Sequence, residues 1–151
     1  MRGELTIPVK NVNRLADQLC RWAQKERYAI VLRSNDYKFE SPIQEKLNRY
    51  QLIAAIGADE VLIPEKNPLE SFREAVKTND WLFGFFGYDL KNEIENLSSS
   101  NFDGLQFANM LFFRPSIVFA VERDELKIFY SISKYNRQTA ASLIDAIMFE
   151  P

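Results

Sequence analysis

From Trp81 to Leu97 the chain passes from a dense apolar run, through Gly84 and Gly87, directly into the charged helical pattern Asp89-Leu-Lys-Asn-Glu-Ile-Glu-Asn-Leu97. Glycines at such points serve where the backbone approaches a neighbour closely or takes positive φ, both of which a side chain would block. The segment therefore predicts a buried strand over 81–86 and a short helix over 89–97. Phe83 and Phe85 share a strand face with Trp81. That aromatic cluster reads as core rather than as a base-stacking platform, which would be interleaved with basic residues.

The rest of the chain arranges itself around this break. Val12, Leu15, Ala16, Leu19, Trp22 and Ala23 recur at three and four residues, predicting an amphipathic helix over about 11–25 with Asn11 as its N-cap. Cys20 is placed on the apolar side of that helix as a buried thiol. Residues 28–33 read as a strand, and 35–46, polar and broken by Pro42, as a long loop of the kind that often carries function. Residues 50–56 read as a strand ended by Gly57, with a short strand near 61–63. Asn67, Pro68 and Glu70 form a helix start, with Asn67 as the cap and Leu69, Phe72 and Val76 facing the core. After a loop over 98–104, strands are expected over 108–113, 116–121 and 126–131. The last two are joined by the charged turn Glu122-Arg-Asp-Glu125 as a hairpin. A closing helix follows Asn136, with Ala140, Leu143, Ile144, Ile147 and Met148 on its apolar side. This order is not a regular βαβα alternation. It predicts a single α+β domain with mostly antiparallel sheet packed by helices.

Composition removes whole classes of chemistry. The chain has no histidine, so no Ser-His-Asp triad, Cys-His dyad or histidine metal site can be built from it alone. One cysteine, Cys20, cannot form an intramolecular disulfide. With 19 Lys and Arg against 21 Asp and Glu, there is no bulk electrostatic attraction to nucleic acid or an anionic membrane, and neither is expected as a partner. No apolar run is long enough for a membrane helix, and the N-terminus lacks a signal-like apolar region, so a cytoplasmic protein is expected.

Phe86-Gly87-Tyr88-Asp89-Leu90, followed by Glu93 and Glu95 and later by Phe112-Phe113-Arg114-Pro115 and an apolar hairpin, resembles the N-terminal domain of the chorismate-using synthases. These are the large subunits of aminodeoxychorismate (para-aminobenzoate) synthase and anthranilate synthase. Upstream, Ala29 to Ser34 matches the family's apolar strand ending in Ser, and Asn48-Arg49-Tyr50 stands where the family has a Ser-Arg-Phe-type segment. The resemblance covers roughly residues 28–131. It implies a supporting domain of a longer enzyme whose C-terminal chorismate-binding domain holds Mg²⁺ and the catalytic residues, with a glutamine amidotransferase subunit supplying ammonia. This chain by itself is then expected to have no catalytic residues, no metal site and no cofactor, and to expose an apolar face that its neighbour covers.

The family's N-terminal domain can hold tryptophan, and its Leu-Leu-Glu-Ser motif helps form that site. Here the positions read Val31-Leu32-Arg33-Ser34. Arg in place of Glu leaves an amino acid's ammonium without its partner. The resemblance thus leans to the para-aminobenzoate branch, with the tryptophan-responsive anthranilate branch and a stand-alone amino-acid-binding or interaction module as alternatives. Ser34, Asn48, Arg49 and Tyr50 are the ligand-pocket candidates, since an Arg beside an aromatic can hold a carboxylate and cover an apolar ring; otherwise they are a loop packed on its own sheet. Tyr88 and Asp89 are candidates for contact with the missing domain or a partner subunit. Alternatively Asp89 caps the helix that follows and Tyr88 fills a groove. Asp89 and Glu93, four apart, read as a solvated helix face rather than an acid–base pair.

Overall fold

The computed structural model describes residues 1–34, 49–93, 95 and 104–149. Among these residues six strands form one sheet: β1 (Arg2–Pro8), β2 (Ala29–Arg33), β3 (Leu52–Leu62), β4 (Phe83–Phe86), β5 (Met110–Glu122) and β6 (Glu125–Ser131). Their order is β1-β6-β5-β3-β2, with β4 pairing β5 off this path. The β1–β6, β2–β3, β4–β5 and β5–β6 ladders are all antiparallel. Three α-helices accompany them among the described residues: α1 (Val12–Ala23), α2 (Pro68–Val76) and α3 (Arg137–Phe149). This is the α+β class with antiparallel sheet that the sequence predicts. The expected loop over 35–46 lies outside the described residues.

Contacts divide the chain into two compact units. One comprises residues 1–58 and 115–151; the other comprises 59–114. The divisions fall inside β3 and β5, so both strands belong to each unit in part.

In the first unit the core is built on one face of the sheet. Leu5 of β1, Leu52, Ala54 and Ile56 of β3, Ile117, Phe119 and Val121 of β5, and Leu126, Ile128 and Tyr130 of β6 are all buried in it. The spacing of two within each strand is what places them on a common face. Leu15, Ala16 and Leu19 of α1 and Ala140, Ile144 and Ile147 of α3 pack onto them. Trp22 meets Phe119 edge-on, with ring centroids 5.7 Å apart. The two helices are tied by Gln18, whose Nε2 donates to the Met148 carbonyl at 3.0 Å.

Local chemistry starts both helices. Asn11 Oδ1 accepts from the Arg14 amide at 2.9 Å, as expected of the N-cap. At α3, Asn136 Oδ1 accepts from the Thr139 amide at 2.8 Å while Thr139 Oγ1 accepts from the Asn136 amide at 2.9 Å. This reciprocal pair satisfies two otherwise orphaned donors.

Several expectations are corrected. Cys20 is exposed. At 100° per residue it falls beyond the stripe of Leu15, Ala16 and Leu19, and Gln18 takes the buried position at the stripe's other margin. Asn67 does not cap α2 with its side chain; it takes a left-handed conformation (φ 50) ahead of Pro68 at the first helical position. Val76, near the end of that helix, is exposed. Gly57 does not end a strand. It takes φ 67 within β3, which continues to Leu62, and its amide still donates to the Tyr28 carbonyl at 3.0 Å. The strands expected at 108–113 and 116–121 are one, β5. Pro115 does not divide them, because the ladder to β4 ends at Phe113 and that to β6 begins at Ile117. A proline there removes no donor from either ladder. β1 was not anticipated, although Gly3, Leu5 and Ile7 alternate with Glu4, Thr6 and Pro8 in burial.

Asn136→Ala should destabilise the first unit by about 1 kcal/mol, the usual cost of a lost cap, read as a lower urea midpoint. Gly84 is opposite Phe112 in the β4–β5 ladder, and a Cβ there would run into the Leu111 carbonyl and the Phe112 backbone. Gly84→Ala should therefore cost about 1–3 kcal/mol, the range for overpacking, with the NMR shift changes centred on residues 83–86 and 110–113.

Candidate functional site

β4 is short, and its two central-to-terminal phenylalanines point to opposite faces, as successive strand residues must. Phe86 packs into an aromatic triad in the second unit, with ring centroids 5.0 Å from Phe72 of α2 and 4.9 Å from Phe112 of β5. Phe72 and Phe112 complete it at 4.8 Å. Phe85 turns the other way and meets Phe107 edge-on at 6.4 Å. The expectation of a wholly buried aromatic strand is corrected: Phe85 and Phe86 are 41% and 47% exposed. Trp81 stacks on Phe83 at 5.8 Å, and both are half-buried.

The chain leaves β4 through Gly87. Its amide donates to the Asn109 carbonyl at 2.8 Å, and its own carbonyl accepts from the Leu90 amide at 3.2 Å. A Cβ on Gly87 would sit 2.8 Å from the Ala108 carbonyl oxygen, so the close approach requires glycine. A 3-10 turn over Tyr88–Glu93 follows at once. It replaces the α-helix expected over 89–97, of which residues 94, 96 and 97 lie outside the described residues. Asp89 is thus inside the first turn rather than before it as a cap. The Glu93 side chain lies outside the description too.

Beside this exit is an apolar groove of about 410 Å³ lined by Phe85, Tyr88, Asp89, Leu105, Phe107 and Asn109, together with Gly87. Tyr88 (82%), Leu105 (77%) and Phe107 (71%) are far more exposed than apolar side chains of this size normally are. The Lys91 ammonium stands 3.8 Å from the Tyr88 ring centroid, a cation–π contact. The structure therefore brings the two sequence-derived contact candidates, Tyr88 and Asp89, to one apolar surface. Leu105 and Phe107 were missed. The signal available was two large apolar residues flanking Gln106 in an otherwise polar stretch.

The ligand-pocket candidates are not gathered in the same way. Ser34 lines a polar cavity of about 240 Å³ in the first unit with Lys10, Asn11, Asn13, Arg33 and Gln51. Within it, one terminal nitrogen of Arg33 donates to Asn13 Oδ1 at 2.5 Å. Asn48 lies outside the described residues. Arg49 and Tyr50 are not among the residues lining this cavity. The Arg49 guanidinium lies 5.2 Å from the Tyr50 ring centroid and donates through Nε to Glu122 Oε1 at 3.0 Å. Lys127 Nζ donates to the other Glu122 oxygen at 2.8 Å. A carboxylate ligand at Arg49 would have to compete with Glu122.

Among the described residues no group of three or more Asp, Glu, Cys or His side chains converges as a metal ion would require, and no helix is long and apolar enough to cross a membrane. Comparison with protein-family models finds none that matches, and comparison with curated proteins finds no match.

The two cationic partners hold the Glu122 carboxyl from its ordinary 4.5 down to about 2, the hydrogen bond from Arg49 being the larger cause and that from Lys127 the next. A carboxylate that is harder to protonate when folded adds stability above its unfolded value and loses it as the pH falls through its folded value. Between pH 4.5 and 2 the wild-type chain should lose this contribution, and Glu122→Gln should lack that part of the acid dependence. Urea midpoints of both proteins across that window measure the difference.

Proposed function

We propose that this chain is a supporting, non-catalytic lobe of a chorismate-using synthase, of the para-aminobenzoate branch, working in the cytoplasm. On this reading the reactive groups sit in a companion chorismate-binding domain, which holds Mg²⁺ and replaces a chorismate hydroxyl with ammonia from a glutamine amidotransferase subunit. The product would be 4-amino-4-deoxychorismate. The described residues of this chain offer no set of convergent carboxylates for Mg²⁺, and no step is assigned to them.

The observation that carries the reading is the placement of Phe86-Gly87-Tyr88-Asp89-Leu90. The segment that resembles the family leaves β4 by a glycine-dependent turn and sets Tyr88 and Asp89 at an exposed apolar groove. Tyr, Phe and Leu at this exposure are the residue types that a neighbouring domain covers. Arg33, engaged with Asn13 at the site where the anthranilate branch carries an acid, supports the para-aminobenzoate branch and weighs against tryptophan as a partner.

Incubated alone with chorismate, ammonium and Mg²⁺, the chain should form no 4-amino-4-deoxychorismate. Mixed with a separately produced chorismate-binding domain of a para-aminobenzoate synthase, it should form a complex in sedimentation velocity. Tyr88→Asp with Phe107→Asp should weaken that complex roughly tenfold or more, as expected when central apolar contacts are lost. Turnover by the chain alone, or no complex at all, contradicts the proposal.

A further inference from the structure

We infer that the polar cavity where β2 ends and α1 begins binds the phosphate group of a small dianionic ligand. Its lining comes from three separate stretches of the first unit: Lys10 and Asn13 around the start of α1, Arg33 and Ser34 at the end of β2, and Gln51 just before β3. Backbone and side chains both hold these stretches together. The Ser34 amide donates to the Gln51 carbonyl at 3.0 Å, and a terminal nitrogen of Arg33 donates to Asn13 Oδ1 at 2.5 Å. At about 240 Å³ the cavity is smaller than the ~300–1,000 Å³ usual for drug-sized ligands, and it suits one compact polar group.

The charge of this cavity is of one sign. Lys10 and Arg33 line it, and among the described lining residues there is no Asp or Glu. No carboxylate among the described residues pairs with either cation. The acids close by in the fold do not offset them. Glu122 follows Val121, whose carbonyl accepts from the Gln51 amide, but its two oxygens are taken by Arg49 and Lys127. Asp124, whose carbonyl accepts from the Val9 amide, is not a lining residue. Asp17, one turn beyond Asn13 on α1, is not one either, and it stands between Arg14 and Arg21 at helical spacing. Donors are plentiful. The bond to Asn13 uses one N–H of the Arg33 guanidinium, and the Asn13 amide nitrogen, Lys10 and the Ser34 hydroxyl all donate. Two cations and several donors match a phosphate ester, which carries about −1.5 to −2 charge near neutral pH and three strong acceptor oxygens. A monocarboxylate would neutralise only one of the two. Val12 is the sole apolar residue among those described in the lining, so nothing there recognises a ring.

Phosphate binding does not require the chain to be a synthase lobe, and the groove tested by complex formation belongs to the other unit, so either result can fail alone. The test titrates the whole chain with inorganic phosphate, methyl phosphate and acetate at fixed ionic strength, slightly above neutral pH, with amide NMR shifts recorded. Phosphate should shift residues 10–13, 33–34 and 51, and acetate should bind about threefold more weakly or less, the value of one further exposed charge contact. Methyl phosphate as tight as the free ion assigns the site to phosphate esters; exclusion of the ester assigns it to the free ion. Lys10→Gln and Arg33→Gln should each weaken phosphate about two- to fivefold. Arg73→Gln, which removes the same charge from α2, should leave binding unchanged. Lys10 is exposed in the connection between β1 and α1, so its variant decides the matter even if Arg33→Gln disturbs the end of β2. No shifts with phosphate, shifts centred elsewhere, acetate as tight as phosphate, or Lys10→Gln binding as well as Arg73→Gln overturns the assignment.

Discussion

The middle of β5 is the constraint on which the rest depends. From Ile117 to Val121 every residue is buried, and the strand lies between β6 and β3 in the sheet order. A strand buried on both faces must satisfy its backbone through ladders on both edges, because an unpaired amide out of water is costly. That requirement explains the alignment of the hairpin partner: Val121 faces Leu126 and Phe119 faces Ile128, so both strands send the same alternate residues into the core. β1 then takes the open edge of β6 with Leu5 opposite Ile128.

The same strand begins in the second unit, where Met110 to Phe113 support β4. Here the packing is dictated by glycine. Gly84 lets β4 lie against the Leu111 and Phe112 backbone, and Gly87 lets the exit hydrogen-bond to Asn109. With the backbone so close, the phenylalanines divide between two faces. Phe86 finds a triad with Phe72 and Phe112, whereas Phe85 is left at the groove with Phe107. The groove is therefore a consequence of how β4 is held, and its apolar character follows from the alternation of a strand whose every non-glycine residue is Phe.

What the sequence made legible were features with local causes. The α1 stripe, the Asn11 cap and the Glu122–Glu125 hairpin all follow from spacing or from a side chain reaching its own backbone. The errors arose where tertiary pairing decided. Residues 108–113 and 116–121 read as two strands until their ladders, to β4 and to β6, are seen to lie on the one strand β5. Gly57 reads as an end, but it takes a positive φ inside a strand that persists to Leu62. The groove was half legible: Tyr88 and Asp89 stood out through the motif, while Leu105 and Phe107 carry no periodicity to mark them. Arg49 illustrates the reverse difficulty, since nothing near it in sequence announces Glu122, 73 residues away, as its partner.

Native-state amide exchange tests the central claim most directly, namely that the first unit is held by the doubly paired middle of β5. The amides of Val118 to Val121 should exchange among the slowest in the chain, at the rate set by global unfolding, with those of β1 and β2 at the sheet margins exchanging faster. Exchange of Val118 to Val121 as fast as that of Glu4 to Ile7 would contradict the account.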